Sequence, residues 1–145
     1  MTVPEDTERR ILHNATYVEE ALTVLSRKQS LSPDAYRNDR EQRAIVEREF
    51  QTAIEACLDI AGLVLTATDE QMPETYAGRF RRLEELGIIS PETSEKMRGA
   101  AGFRTVLAHN YGDDLDHDVV YNHLQNQLEW FVRFLTEIRD YLTET

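Results

Sequence analysis

The chain has 145 residues, a formal net charge of −11 with 30% charged side chains, and one cysteine. That length suits a single domain, residues 1–145, burying about two thirds of its extended surface. One cysteine excludes an internal disulfide and a thiolate zinc site, while the absence of a signal-like start or an unbroken ~20-residue apolar run points to a cytoplasmic protein with no membrane partner.

From Glu5 to about Lys28, Ile11, Ala15, Val18, Leu22 and Leu25 fall at the three-and-four spacing of an amphipathic helix. Ser32 as N-cap and Pro33 at the first helical position then open a long second helix through Ile45, Phe50, Ile54, Leu58 and Ala61, ending near Thr66. Within it, "AIEACLDIAGLVL" makes Cys57 a small buried hydrophobe instead of a reactive thiolate. Pro73 opens a shorter third helix with Tyr76, Phe80 and Leu83 on one face, closed at Gly87. Ser90 and Pro91 repeat the start signal for a fourth helix to Ala108, with Met97, Ala101 and Leu107 inside. Asp116 or Asp118 caps a fifth, whose stripe is Val120, Leu124, Leu128, Phe131, Leu135, Ile138 and Leu142. No strand pattern competes, so the fold class is all-α: an up-and-down bundle of four main helices plus one short helix.

The fourth helix carries the unusual stretch "GFRTVLAHNYGDD", Gly102 to Asp114. Arg104 is a permanent cation inside an apolar run, and His109 supplies an imidazole that can act as a base; a cation and a base are what phosphoryl transfer needs. The two lie five positions apart, about 140° around a continuous helix, so they meet only where the helix frays near His109. Gly112, able to adopt the left-handed conformation, is placed to help end the helix. On spacing alone the alternative stands: Arg104 pairs with a carboxylate, and His109 is a polar helix end.

"FRTVLAHNY" resembles the signature of the HEPN superfamily, an arginine, four residues, a histidine, one residue and a tyrosine, and in particular that of the HepT-like toxins. The resemblance covers nearly the whole chain, since that family is also a short all-helical bundle with its motif late in the sequence. It implies the toxin of a type VII-like toxin–antitoxin pair, a metal-independent ribonuclease in which the RNA 2′-hydroxyl attacks the adjacent phosphate. Arg104 and His109 would be catalytic, Thr105 and Asn110 supporting, and Tyr111 the residue that a cognate minimal nucleotidyltransferase antitoxin modifies with AMP. Thr105 stands where the family commonly has Asn, Asp or His. Cleavage by this route needs both an acid and a base, and one imidazole holds one protonation state at a time, so a homodimer bringing two motifs together is implied. A non-catalytic HEPN-like module that binds a nucleotidyltransferase or its substrate is the alternative.

No cofactor and no metal site is expected: His109, Asp113, Asp114, Asp116 and His117 fit no metal-ligand spacing and read better as caps and loop charges. Arg79, Arg81, Arg82 and Arg98 are candidates for RNA phosphate contact, against the ordinary reading that a charge run pairs with Glu84 and Glu85 on a solvated face. Trp130, Tyr121 and His123 are assigned to the core or an interface. The net charge opposes nucleic-acid binding, yet all the cations but Lys28 and Lys96 are arginines. An acidic, lysine-poor surface of this kind looks halophilic, with the charge reporting habitat and not ligand.

Overall fold

The computed structural model describes residues 3–68, 70–110 and 114–144. Among these there are seven α-helices and no strand: α1 (Glu5–Lys28), α2 (Pro33–Asn38), α3 (Arg40–Ala67), α4 (Tyr76–Glu85), α5 (Pro91–His109), α6 (His117–Asn126) and α7 (Leu128–Thr143).

The expected second and fifth helices are each divided. Ser32 does cap the second, accepting from the Ala35 N–H, but Asp39 leaves the helical region at φ −117°, ψ 100° and accepts from the Glu41 and Gln42 N–H groups. An Asp side chain that offers the backbone a cap competes with continuation of the helix, so Asp39 begins a new one. The six-residue α2 is thereby turned to bury Tyr36. The fifth helix starts at Asp116, as expected, and breaks at Gln127, where φ −113°, ψ −5° bends the chain between α6 and α7 while Leu124 and Leu128 both remain buried. The third begins later than Pro73, because the Thr75 hydroxyl accepts from the Gly78 N–H and sets Tyr76 as the first helical residue. It closes as expected: Gly87 takes φ 74°, with Gly87 N–H bonded to Glu84 O and Ile88 N–H to Leu83 O.

The core is one cluster that draws on every helix. α3 runs through its middle and packs most extensively on α1. It is long and apolar enough to cross a bilayer, but Phe50, Ile54, Ile60 and Leu65 are instead fully buried against the other helices. Phe50 meets Phe103 of α5 edge-on at 5.4 Å, and Phe80 of α4 meets Phe134 of α7 likewise at 5.5 Å. Cys57 is buried, and burial pushes its thiol far above the ordinary range, so it is the inert hydrophobe its pattern predicts. The start of α5 is fixed from α7: Glu137 accepts from the Ser90 N–H and the Thr93 hydroxyl, and Thr93 and Ser94 are buried. These contacts set where the other end of α5, with Arg104 and His109, emerges.

Candidate active site

α5 does not fray at its end. It stays helical through His109, and Asn110 closes it in extended conformation with its N–H on Val106 O. Arg104 and His109 therefore remain about 140° apart around one helix. The condition for their meeting within one chain, a frayed last turn near His109, is not met: the last turn keeps its hydrogen bonds. Tyr111 and Gly112 lie outside the described residues.

Arg104 points toward α3 and α4. Its Nε and Nη2 donate to Glu55 Oε1 at 3.3 and 3.1 Å, and its guanidinium carbon lies 5.4 Å from the Tyr76 ring centroid. The pair is partly exposed, with 23% of the Arg104 side chain and 44% of the Glu55 side chain accessible. Arg79 approaches the same ring at 5.2 Å and donates from Nη1 to Leu58 O at 3.0 Å. Gly62 gives it room, since a Cβ there would stand 3.0 Å from Arg79 Nη1. Tyr76 thus serves as an aromatic platform for two guanidiniums, a favourable use of its π-face. Glu55, Leu58, Asp59, Tyr76, Arg79 and Arg104 line a shallow cavity of about 270 Å3. A planar donor fork fixed on one edge by a carboxylate keeps its remaining N–H groups directed, the arrangement suited to clamping a phosphate.

His109 is exposed on the helix end. The proposed supporting groups are turned back on α5 itself: Thr105 Oγ1 donates to Ala101 O, and Asn110 Nδ2 donates to Val106 O. Of the four further arginines, Arg79 alone joins the Arg104 cavity. Arg82 binds Glu70 at 2.8 Å and Glu85 at 3.2 Å, hydrogen bonds that push its guanidinium still higher than usual. Arg98 is bonded to Ser94 and lies 3.9 Å from Glu84. The ordinary reading of the run thus holds for Arg82 and Glu85, while Arg81 is exposed and makes no ion pair with a described residue. Among the described residues, no group of His, Cys, Asp and Glu is arranged to hold a metal ion.

A family model described as ribonuclease HepT-like matches residues 11–138, which contain this whole arrangement. The chain belongs to the HepT-like ribonuclease family. It is 28% identical over 121 residues to the tRNA nuclease HepT of Aphanizomenon flos-aquae, a match spanning 83% of this chain and 82% of that protein. It is also 28% identical over 90 residues to the mRNA nuclease HepT of Shewanella oneidensis, spanning 62% and 67% of the two chains. In fold it is similar to the tri-AMPylated HEPN toxin of Shewanella oneidensis solved in complex with MNT antitoxin, with a TM-score of 0.82 over 90% of this chain and 97% of that one at 21% identity. Membership of the HepT-like ribonuclease family favours the nuclease over the non-catalytic module.

Two residues lining the Arg104 cavity fall outside the motif read from the sequence. Glu55 and Asp59 stand four apart in an otherwise apolar run, a signal that a buried stretch of α3 reserves one face for polar partners. Tyr76 was placed on the core face of its helix, whereas it is 45% exposed and faces the two arginines.

Proposed function

We propose that this chain is the ribonuclease toxin of a toxin–antitoxin pair, acting in the cytoplasm as a homodimer and neutralised when a nucleotidyltransferase attaches AMP to Tyr111. The observation that carries the proposal is the division of α5: Arg104 is held by Glu55 and Tyr76 on one side, while His109 is exposed at the helix end. A cation and a base that diverge on one helix can converge on one phosphate when a second copy supplies the missing direction. In that cleft one imidazole takes the proton of the RNA 2′-hydroxyl as it attacks phosphorus, and the other gives a proton to the leaving 5′-oxygen. The guanidiniums neutralise the charge that builds on the phosphoryl oxygens.

Tyr111 follows His109 by two residues, so an AMP group on its hydroxyl brings bulk and negative charge beside the imidazole and opposes RNA by both. The similarity to an AMPylated toxin solved with its antitoxin supports this part of the reading. The test is cleavage of RNA by the purified protein, by His109→Ala, and by a mixture of His109→Ala with Arg104→Ala subunits. Loss in each single variant is expected; a mixed dimer holds one imidazole, so recovery of cleavage in the mixture refutes a cleft that needs two. Unchanged cleavage by folded His109→Ala refutes the nuclease assignment, and a monomer that cleaves refutes the composite site. Incubation with a nucleotidyltransferase from the same gene neighbourhood, ATP and magnesium should add mass in whole AMP units to the wild type and not to Tyr111→Phe.

A further inference from the structure

A second cavity, of about 240 Å3, lies between α5 and the elbow joining α6 to α7. Its walls are aromatic. Phe103 and His123 stack in parallel, with centroids 4.0 Å apart and planes 6° from one another, and Trp130 completes the lining. Around these rings stand Glu95, Gln127 and His123, whose side chains form no hydrogen bond with a described residue. Gly99 forms part of the opening, where an added Cβ would meet nothing within 4 Å. The Lys96 ammonium is 5.6 Å from the Trp130 centroid, which places a cation at the rim.

These features ask for one kind of occupant. Flat π-walls favour a planar ring, and unused donors and acceptors favour a ring with hydrogen-bonding edges. Exposed Glu95 and half-buried Gln127 at the rim offer an acceptor and an amide that an aliphatic ligand would leave unused. The volume is below the roughly 300–1,000 Å3 of sites for drug-sized molecules, so a single ring system suits it. Lys96 favours an attached anion. A planar base bearing a phosphate combines all of these.

We infer that this pocket is a nucleobase subsite, seating one base of the RNA among Phe103, His123 and Trp130 while Glu95 and Gln127 bond its edge. The inference rests on the ribonuclease reading for its role, since it assigns to this pocket the choice of where the RNA is cut. Phe103 directly precedes Arg104, and Gly99 lies about 15 Å along the α5 axis from His109, a separation that a few nucleotides cover.

Trp130 is the single tryptophan of the chain, so its fluorescence reports on this pocket directly. The wild-type protein is titrated with AMP, GMP, CMP and UMP, with ribose 5-phosphate and inorganic phosphate as controls. Saturable quenching by at least one nucleotide is expected with Kd in the roughly millimolar range, and none by the controls. Gly99→Leu fills the opening at an unobstructed helical position and improves helix propensity, so circular dichroism and thermal midpoint should show an intact fold. It should weaken nucleotide binding at least about tenfold, the scale of a lost base–aromatic stack, and should redistribute the cut positions on a defined RNA. Absence of saturable quenching by all four nucleotides overturns the inference, as does a folded Gly99→Leu protein that binds and cuts as the wild type does. A wild type that binds nucleotide in a Gly99-dependent way yet cleaves no RNA keeps the subsite and removes the ribonuclease reading. Cleavage without nucleotide quenching removes the subsite alone.

Discussion

Replacing Glu55 by Ala asks whether Arg104 must be held in place to act. In the folded chain one carboxylate oxygen receives both Nε and Nη2 of Arg104, and the Tyr76 ring supports the guanidinium from below. Without Glu55 the ring contact is the remaining restraint among these, and a long side chain regains rotamer freedom worth about 1–2 kcal/mol. If that freedom must be lost again at each turnover, the productive pose becomes about tenfold rarer, because ~1.4 kcal/mol corresponds to a factor of ten. The expected result is a kcat lower by about tenfold. KM should not rise, since removing a carboxylate beside the phosphate site relieves repulsion.

Global stability should hardly move. The pair is partly exposed, and ion pairs of that kind contribute under about 1 kcal/mol. Glu55→Gln keeps an oxygen acceptor without the charge and should fall between Ala and wild type. The assay is steady-state cleavage of a short fluorogenic RNA, with a thermal melt on each variant. An Ala variant that cleaves as fast as wild type, or faster, would show that Glu55 only masks Arg104, and the positioning role would be wrong.

His123 is half-buried against Phe103, and burial lowers its pKa from the ordinary imidazole value. The folded state therefore binds this proton less readily than the unfolded chain, so stability present above about pH 6.5 declines as pH falls through the depressed folded value. Melts recorded from pH 7.5 down to 5 should lose part of that slope in His123→Phe; an identical slope refutes the assignment. Gly87→Ala, at φ 74° with nothing within 4 Å of the added Cβ, should cost about 1 kcal/mol by backbone strain alone, read as a lower urea midpoint at unchanged m-value. Phe50→Ala removes a 1%-exposed ring that contacts Phe103 and Phe131, and a loss of about 3–5 kcal/mol in the same unfolding assay is expected.

The helices were legible wherever a periodic apolar stripe met a local start or stop signal. Ser32–Pro33, Ser90–Pro91 and Gly87 marked α2, α5 and the end of α4 because each acts through its own backbone. The two breaks were not legible for a related reason. Gln127 sits inside a continuous stripe whose neighbours Leu124 and Leu128 stay buried on both sides of the bend. Asp39 falls in the polar, mostly exposed stretch between Tyr36 and Val46, where no apolar stripe registers a break and Ile45, expected inside, is 37% exposed. At the site, Arg104 and His109 could be named because they share one short segment. Glu55 and Tyr76 could not be joined to Arg104, since 49 residues separate Glu55 from it and a different helix carries Tyr76. Burial of α5 against α3 and α4 creates that contact, and no local rule encodes it.

The same packing bears on how so acidic a chain can work on a polyanion. Arg9, Arg37, Arg82, Arg104, Arg133 and Arg139 all stand within 4 Å of a carboxylate, so much of the positive charge is already neutralised at short range. At long range a surface of net charge −11 repels RNA, and salt weakens that repulsion without supplying any attraction. Recognition then has to come from contacts that act only at van der Waals and hydrogen-bond distance. Arginine is suited to this because its fork retains N–H donors after one edge is taken by a carboxylate, which lysine's compact ammonium does not do with fixed direction. Arg104, bound on one edge by Glu55 and stacked on Tyr76, is such a group: neutralised at a distance, yet directional at contact.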